Sequence, residues 1–136
     1  MPTAIIVDDS PIMRAQLRRL VTAAGFTIAA EAATADELVV LYERHRPRLI
    51  TLDIVMPGRD AVSAAAELLG RYPEALIVMC TSLMSRDRMH ACKQAGVSRY
   101  LLKPFDPVTA TEIFRSVIAP RGATAPETTE TLEVTK

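Results

Sequence analysis

Only two cysteines occur in the chain, Cys80 and Cys92, both in apolar or helical contexts away from clustered histidines. That scarcity excludes a disulfide framework and a thiolate zinc site, and predicts buried thiols in a reducing compartment. Net charge is equally lacking. Sixteen Lys and Arg residues balance sixteen Asp and Glu residues, so no global field draws the chain to nucleic acid or to an anionic membrane. Any charge-driven function must be local. No segment approaches the roughly 20 apolar residues that a membrane span requires, and the opening Met1-Pro2-Thr3-Ala4 has no basic block followed by an apolar one. A cytoplasmic location is therefore expected.

What the chain has instead is alternation. Its 136 residues, 49% hydrophobic and 24% charged, predict one domain around a single core. Short apolar runs predict strands at Ala4–Val7, Phe26–Glu31, Leu49–Asp53, Leu76–Cys80 and Tyr100–Leu102. Amphipathic segments predict helices over Pro11–Ala24, Ala61–Arg71, Ser85–Ala95 and Pro107–Ile118. One more helix starts at the Thr34 cap, carries Leu38, Val39, Leu41 and Tyr42 as its apolar stripe and ends at Pro47. Ser10-Pro11 reads as a cap and first helical residue, and Gly25 and Gly96 read as helix stops. Five βα units in series imply a parallel sheet with helices on both faces, because parallel strands need crossover connections. The domain covers residues 1–119. From Pro120 the composition turns to Pro, Gly, Thr and Glu, so residues 120–136 read as a flexible tail or linker.

Polar residues punctuate the strand ends. The first strand runs into Asp8-Asp9, the third ends in Asp53, the fourth leads to Thr81-Ser82 and the fifth to Lys103-Pro104. Taken singly, each has an ordinary explanation: acids favour helix N-termini, hydroxyls make local turns and a lysine solvates a strand end. Four of five strands ending this way on one edge is a different matter. In a doubly wound sheet the ligand crevice lies beyond the carboxyl ends of the strands. Two unit charges 4 Å apart repel by about 4 kcal/mol at an effective dielectric of 20, so three gathered acids call for a counter-ion. An all-oxygen donor set at an open, wet mouth suits Mg2+. A metal, a carboxylate nucleophile, a hydroxyl donor and a lysine are the parts that phosphoryl transfer to an aspartate uses.

The stretches "IIVDDSPIMR", "LITLDIVMPGRD", "VMCTS" and "YLLKPF", in this order and at these βα junctions, resemble the receiver domain of two-component response regulators. The likeness spans Thr3 to Ala119 and implies a flavodoxin-like α/β fold, a doubly wound five-stranded parallel sheet of order 2-1-3-4-5 with five helices. It further implies that Asp53 accepts a phosphoryl group from a histidine kinase or phosphotransfer protein. Asp9, Asp53 and the Val55 carbonyl would ligate Mg2+ directly, and Asp8 through water. Lys103 and the Thr81 hydroxyl would meet the phosphoryl oxygens, the Lys103-Pro104 bond would be cis, and Thr81 with Tyr100 would form the switch. A protein target would dock on the face of the fourth helix, fifth strand and fifth helix, the chain being a monomer or a phosphorylation-linked dimer. Such a domain is not an enzyme with an external substrate; it assists its own phosphorylation and dephosphorylation. With no DNA-binding or effector segment visible, output is expected by protein contact, as in stand-alone chemotaxis or relay receivers.

Three positions depart from the family pattern. Ala61 stands where Gly is usual, and Val55 and Leu83 are apolar where relatives often carry polar residues that place the attacking water. Slow hydrolysis of the acyl phosphate is the expectation. Val55 also stands where an aspartyl-phosphate phosphatase has its second Asp, which argues against that class. A flavodoxin-like cofactor site wants a phosphate loop after the first strand, and here that loop is acidic. An unphosphorylated interaction or dimerisation module on the same fold is the remaining alternative. Arg14, Arg18 and Arg19 read as a solvated face of the first helix or a kinase contact, and His45 and His90 as exposed helical residues without a metal role.

Overall fold

Side chains alternate along a strand, so a strand that is apolar at every position must be covered on both sides. The computed structural model, which describes residues 2–118 apart from 57, 59, 83–85 and 98, has that arrangement. In chain order it runs β1 (Thr3–Val7), α1 (Pro11–Ala23), β2 (Thr27–Ala32), α2 (Leu38–His45), β3 (Leu49–Asp53), α3 (Ala61–Arg71), β4 (Ile77–Thr81), α4 (Arg86–Ala95), β5 (Arg99–Leu102) and α5 (Pro107–Ile118). The five strands form one parallel sheet in the order β2-β1-β3-β4-β5.

Alternation sorts the core into two layers. Ile5, Val7, Ile50, Leu52, Ile77 and Met79 pack against Leu38, Leu41, Ala64 and Leu68 of α2 and α3. The opposite set, Ala4, Ile6, Leu49, Val78 and Cys80, meets Leu17 and Val21 of α1 and Ile113, Phe114 and Val117 of α5. β3 is buried along its whole length, as is β4, so both strand ends are rigidly held.

Helix ends follow local chemistry. Ser10 Oγ accepts the Met13 N–H at 3.2 Å to start α1, and Pro11 follows it as the first helical residue. At the far end Gly25 takes φ 109°, while its N–H donates to Thr22 O and the Phe26 N–H to Val21 O. The same pair of bonds closes α4 around Gly96 (φ 103°), from Gly96 to Lys93 O and from Val97 to Cys92 O. Both glycines thus stop their helices by the left-handed geometry expected of them.

Boundaries move by a residue or so from expectation. β2 is Thr27–Ala32 and β4 is Ile77–Thr81, because pairing with β1 and β3 sets their limits. Thr34 caps a short 3-10 turn, Ala35–Glu37, and α2 proper begins only at Leu38. Its end precedes Pro47: Arg46 adopts φ 45°, and its guanidinium lies 5.4 Å from the Tyr42 ring centroid and 4.5 Å from that of Tyr72. Stacking on two rings offsets the strain of a non-glycine residue in that region. α3 and α5 occupy the expected spans. Ser85, Leu83 and the 120–136 tail lie outside the described residues. No helix among the described residues is long and apolar enough to cross a membrane.

Phe114 is fully buried between α5 and the sheet. Phe114→Ala should lower the unfolding free energy by about 3–5 kcal/mol, seen in urea titration as a lower midpoint at unchanged slope.

Candidate functional site: an acidic pocket at the sheet edge

The topology brings the predicted strand ends together. β1 and β3 are neighbours with Val7 opposite Leu52, so Asp8 and Asp53 follow on adjacent strands at the same edge. Asp8 is fully buried and Asp53 is 5% exposed, whereas Asp9, on the turn into α1, is exposed. Asp8, Asp9 and Asp53 each offer one carboxylate oxygen, all within 4.8 Å of one another. Among the described residues they are the one cluster of ligating side chains that converges in this way.

Lys103 supplies the local countercharge. Its backbone N–H donates to Thr81 O at 2.9 Å, which fixes the residue beyond β5, and its ammonium reaches Asp8 Oδ2 at 3.1 Å and Asp53 Oδ1 at 3.5 Å. The Lys103-Pro104 peptide is cis. Backbone donors complete the frame: Ser10 N–H to Asp8 Oδ1 at 2.9 Å and Val55 N–H to Asp53 Oδ1 at 3.3 Å. Thr81 ends β4 fully buried, beside Leu102 in the sheet register.

Burial holds the Asp53 carboxyl above the ordinary carboxylate range; Lys103 draws it down, and the Asp8 and Asp9 charges push it up. Burial opposes the Lys103 charge, yet the hydrogen bond to Asp8 and the attraction of Asp53 outweigh it and hold its pKa high. Cys80, opposite Asp53 in the register, is wholly buried, which pushes its thiol far up and keeps it protonated.

Tyr100, Val55 and Arg14 sit in three different settings, and Arg14 departs from expectation. Tyr100 already has its ring in the core, 6% exposed, with its hydroxyl donating to Val97 O at 2.8 Å. Val55, in contrast, is 54% exposed at the rim. Arg14 does not belong to a solvated face: Nη1 donates to the Asp8 carbonyl at 2.6 Å and Nε lies 3.5 Å from Glu31. Its spacing from the acidic pair carries a helical signal, since Asp8 and Arg14 sit on either side of the first turn of α1, but a backbone acceptor leaves no mark in a sequence. Arg18 is half-exposed and makes a bidentate pair with Glu31 at 2.6 and 2.9 Å.

A doubly wound parallel sheet with three acids and a lysine at its carboxyl edge defines a class of α/β domains whose pocket can hold a divalent cation. Comparison with known proteins specifies the family: the model of the response regulator receiver domain matches residues 4–115, and the chain belongs to it. It is 36% identical over 114 residues to the chemotaxis protein CheY of Halobacterium salinarum, covering 84% of this chain and 94% of that one. The CheY of Thermotoga maritima is 32% identical over 113 residues, covering 83% and 94%. Among solved structures, the CheX–CheY–BeF3–Mg2+ complex from Borrelia burgdorferi superposes with a TM-score of 0.80 at 28% identity, covering 88% of this chain and 90% of that one.

A carboxylate whose folded pKa is raised contributes stability that is complete below its unfolded pKa and lost as pH rises through the folded value. Asp53→Asn should therefore stabilise the Mg2+-free protein at pH 7, with the gain fading as the pH falls into the ordinary carboxylate range. Urea titrations at both pH values check this; a variant no more stable than wild type at pH 7 refutes it.

Proposed function

We propose that the chain is a phosphoacceptor switch, taking a phosphoryl group from a histidine kinase or phosphotransfer protein onto Asp53 and signalling to a protein target. The observation that carries this reading is the convergence of Asp8, Asp9 and Asp53 with Lys103 at one sheet edge. In the transfer, a carboxylate oxygen of Asp53 bonds to phosphorus while the phosphorus–nitrogen bond of the phosphohistidine breaks, its electron pair returning to the imidazole. Asp53 suits the nucleophile's place because it combines a rigid strand end with access to the pocket.

Receiver domains bind Mg2+ at an acidic pocket, and this donor set fits: hard carboxylate oxygens from three residues, one of them exposed to water. Asp9 and Asp53 would hold the ion with the Val55 carbonyl, and Asp8 would act through water. When bound, Mg2+ supplies charge neutralisation for the acids and the arriving phosphoryl oxygens. Lys103 would orient and neutralise one of those oxygens, and the Thr81 hydroxyl would donate to another.

Phosphorylation adds charge and acceptor oxygens where Thr81 and Lys103 converge. Thr81 and Tyr100 lie on the adjacent strands β4 and β5, so a shift of Thr81 toward the phosphoryl group would bias the face of α4, β5 and α5, where the target would dock. Moving such an equilibrium from 1:99 to 99:1 takes about 5.5 kcal/mol of differential binding, within reach of several charge-assisted hydrogen bonds.

Intact mass after incubation with a small-molecule phosphodonor should show one phosphoryl adduct that requires both Mg2+ and Asp53, and Asp53→Asn should show none. No adduct under conditions that label another receiver overturns the reading in favour of an unphosphorylated interaction module. The exposed, apolar Val55 offers no group to orient an attacking water, so the acyl phosphate should be long-lived. Val55→Asn, alone or with Leu83→Glu, should shorten its half-life severalfold; unchanged decay in both variants sinks that expectation.

A further inference from the structure

We infer that Arg14 is a positioning residue of the acidic pocket, holding the Asp8–Asp9 peptide in the orientation that presents both carboxylates to a divalent cation. The inference rests on the Mg2+ reading above. Asp8 is gripped at four points: its N–H donates to Ala32 O at 3.0 Å, its two carboxylate oxygens accept from Ser10 N–H and the Lys103 ammonium, and its carbonyl accepts from Arg14 Nη1 at 2.6 Å. Of these, Arg14 acts on the Asp8 carbonyl, which belongs to the peptide leading to Asp9. The carbonyl of Asp8 and the N–H of Asp9 lie in one peptide plane, so fixing that carbonyl fixes the plane from which Asp9 departs.

Asp9 needs this support more than its neighbours do. Asp8 and Asp53 are held by burial, but Asp9 is exposed on the turn, so its direction depends on the backbone beneath it. Arg14 is itself held. Its Nε lies 3.5 Å from Glu31 Oε1 on β2, and Arg18 clamps the same carboxylate from outside. The chain Arg18–Glu31–Arg14–Asp8 carbonyl thus ties the edge strand and the first helix to the metal-facing turn. A planar guanidinium can serve a carboxylate and a carbonyl together, which a single ammonium cannot match in geometry.

The sign of the effect separates positioning from charge. Removing a cation beside three acids should by Coulomb's law tighten Mg2+ binding; removing a support for the acids should weaken it. Titration calorimetry with MgCl2 reads the affinity of the unphosphorylated protein, and thermal melts without Mg2+ monitor folding. Arg14→Met, which keeps the aliphatic stem, should bind Mg2+ about tenfold more weakly, the range for loss of a group that orients metal ligands. Arg14→Lys, which keeps the charge but not the fork, should also bind more weakly, and it carries the test should Arg14→Met fail to fold. Arg19→Ala, on the exposed side of α1 and outside the Arg18–Glu31–Arg14 chain, should stay within about twofold of wild type, since an exposed charge is screened. Equal or tighter binding by Arg14→Met and Arg14→Lys overturns the inference and leaves the site standing. Failure of the wild type to bind Mg2+ overturns both, because nothing then remains for Arg14 to position.

Discussion

Mutual repulsion among Asp8, Asp9 and Asp53 is the constraint on which the rest of the structure turns. Three carboxylates with oxygens inside 4.8 Å would separate on a pliable scaffold, since like charges at that distance repel, most strongly for the buried pair Asp8 and Asp53. The sheet does not let them. Asp53 ends a strand that is buried throughout, and Asp8 follows one whose last four residues are buried. The price of this confinement shows in the raised pKa of Asp53, to which burial contributes most. Lys103 recovers part of it at 3.1 and 3.5 Å, from a strand that reaches the pair only because β4 lies between β3 and β5.

Chain-level neutrality and pocket-level charge are compatible for the same reason. The ion pairs elsewhere, Arg71 with Glu67 or Arg18 with Glu31, are largely exposed and contribute little to stability. At the carboxyl edge, by contrast, Asp8 and Asp53 are buried and the acids outnumber Lys103. A reader of composition sees sixteen against sixteen; a ligand at that edge meets three against one.

Much of this was legible in the sequence because the relevant signals are local. Strands without alternation, Pro after a Ser cap and glycines after helices each carry their cause within a few residues, and α3 and α5 fall on the expected spans. The convergence of Asp8, Asp9, Asp53 and Lys103 was also legible, since all stand at strand ends that one fold rule places together. What stayed hidden depends on tertiary partners. The left-handed Arg46 is held by rings from α2 and from beyond α3, and the 3-10 turn after Thr34 yields to α2 only where Leu38 meets the core. Arg14 escaped for a third reason: its acceptor is a carbonyl, which every residue has. The inward Tyr100 reflects a partner of the same kind, the Val97 carbonyl.

These hidden contacts share a direction. Arg14, Ser10 N–H and Val55 N–H all act on Asp8 or Asp53 by hydrogen bonds that involve main-chain groups, so the geometry of the pocket is set by backbone while its charge is set by side chains. Such a division suits the proposed switch, in which the charge of the site would change. A cation or an added phosphoryl group would alter the electrostatic balance around Asp53 and Lys103. Lys103 is held in both ways, its backbone N–H on the Thr81 carbonyl and its ammonium on Asp8 and Asp53. In the proposed switch, a charge change at Asp53 would therefore act first on the Lys103 ammonium, which ties the acids of β1 and β3 to the end of β5.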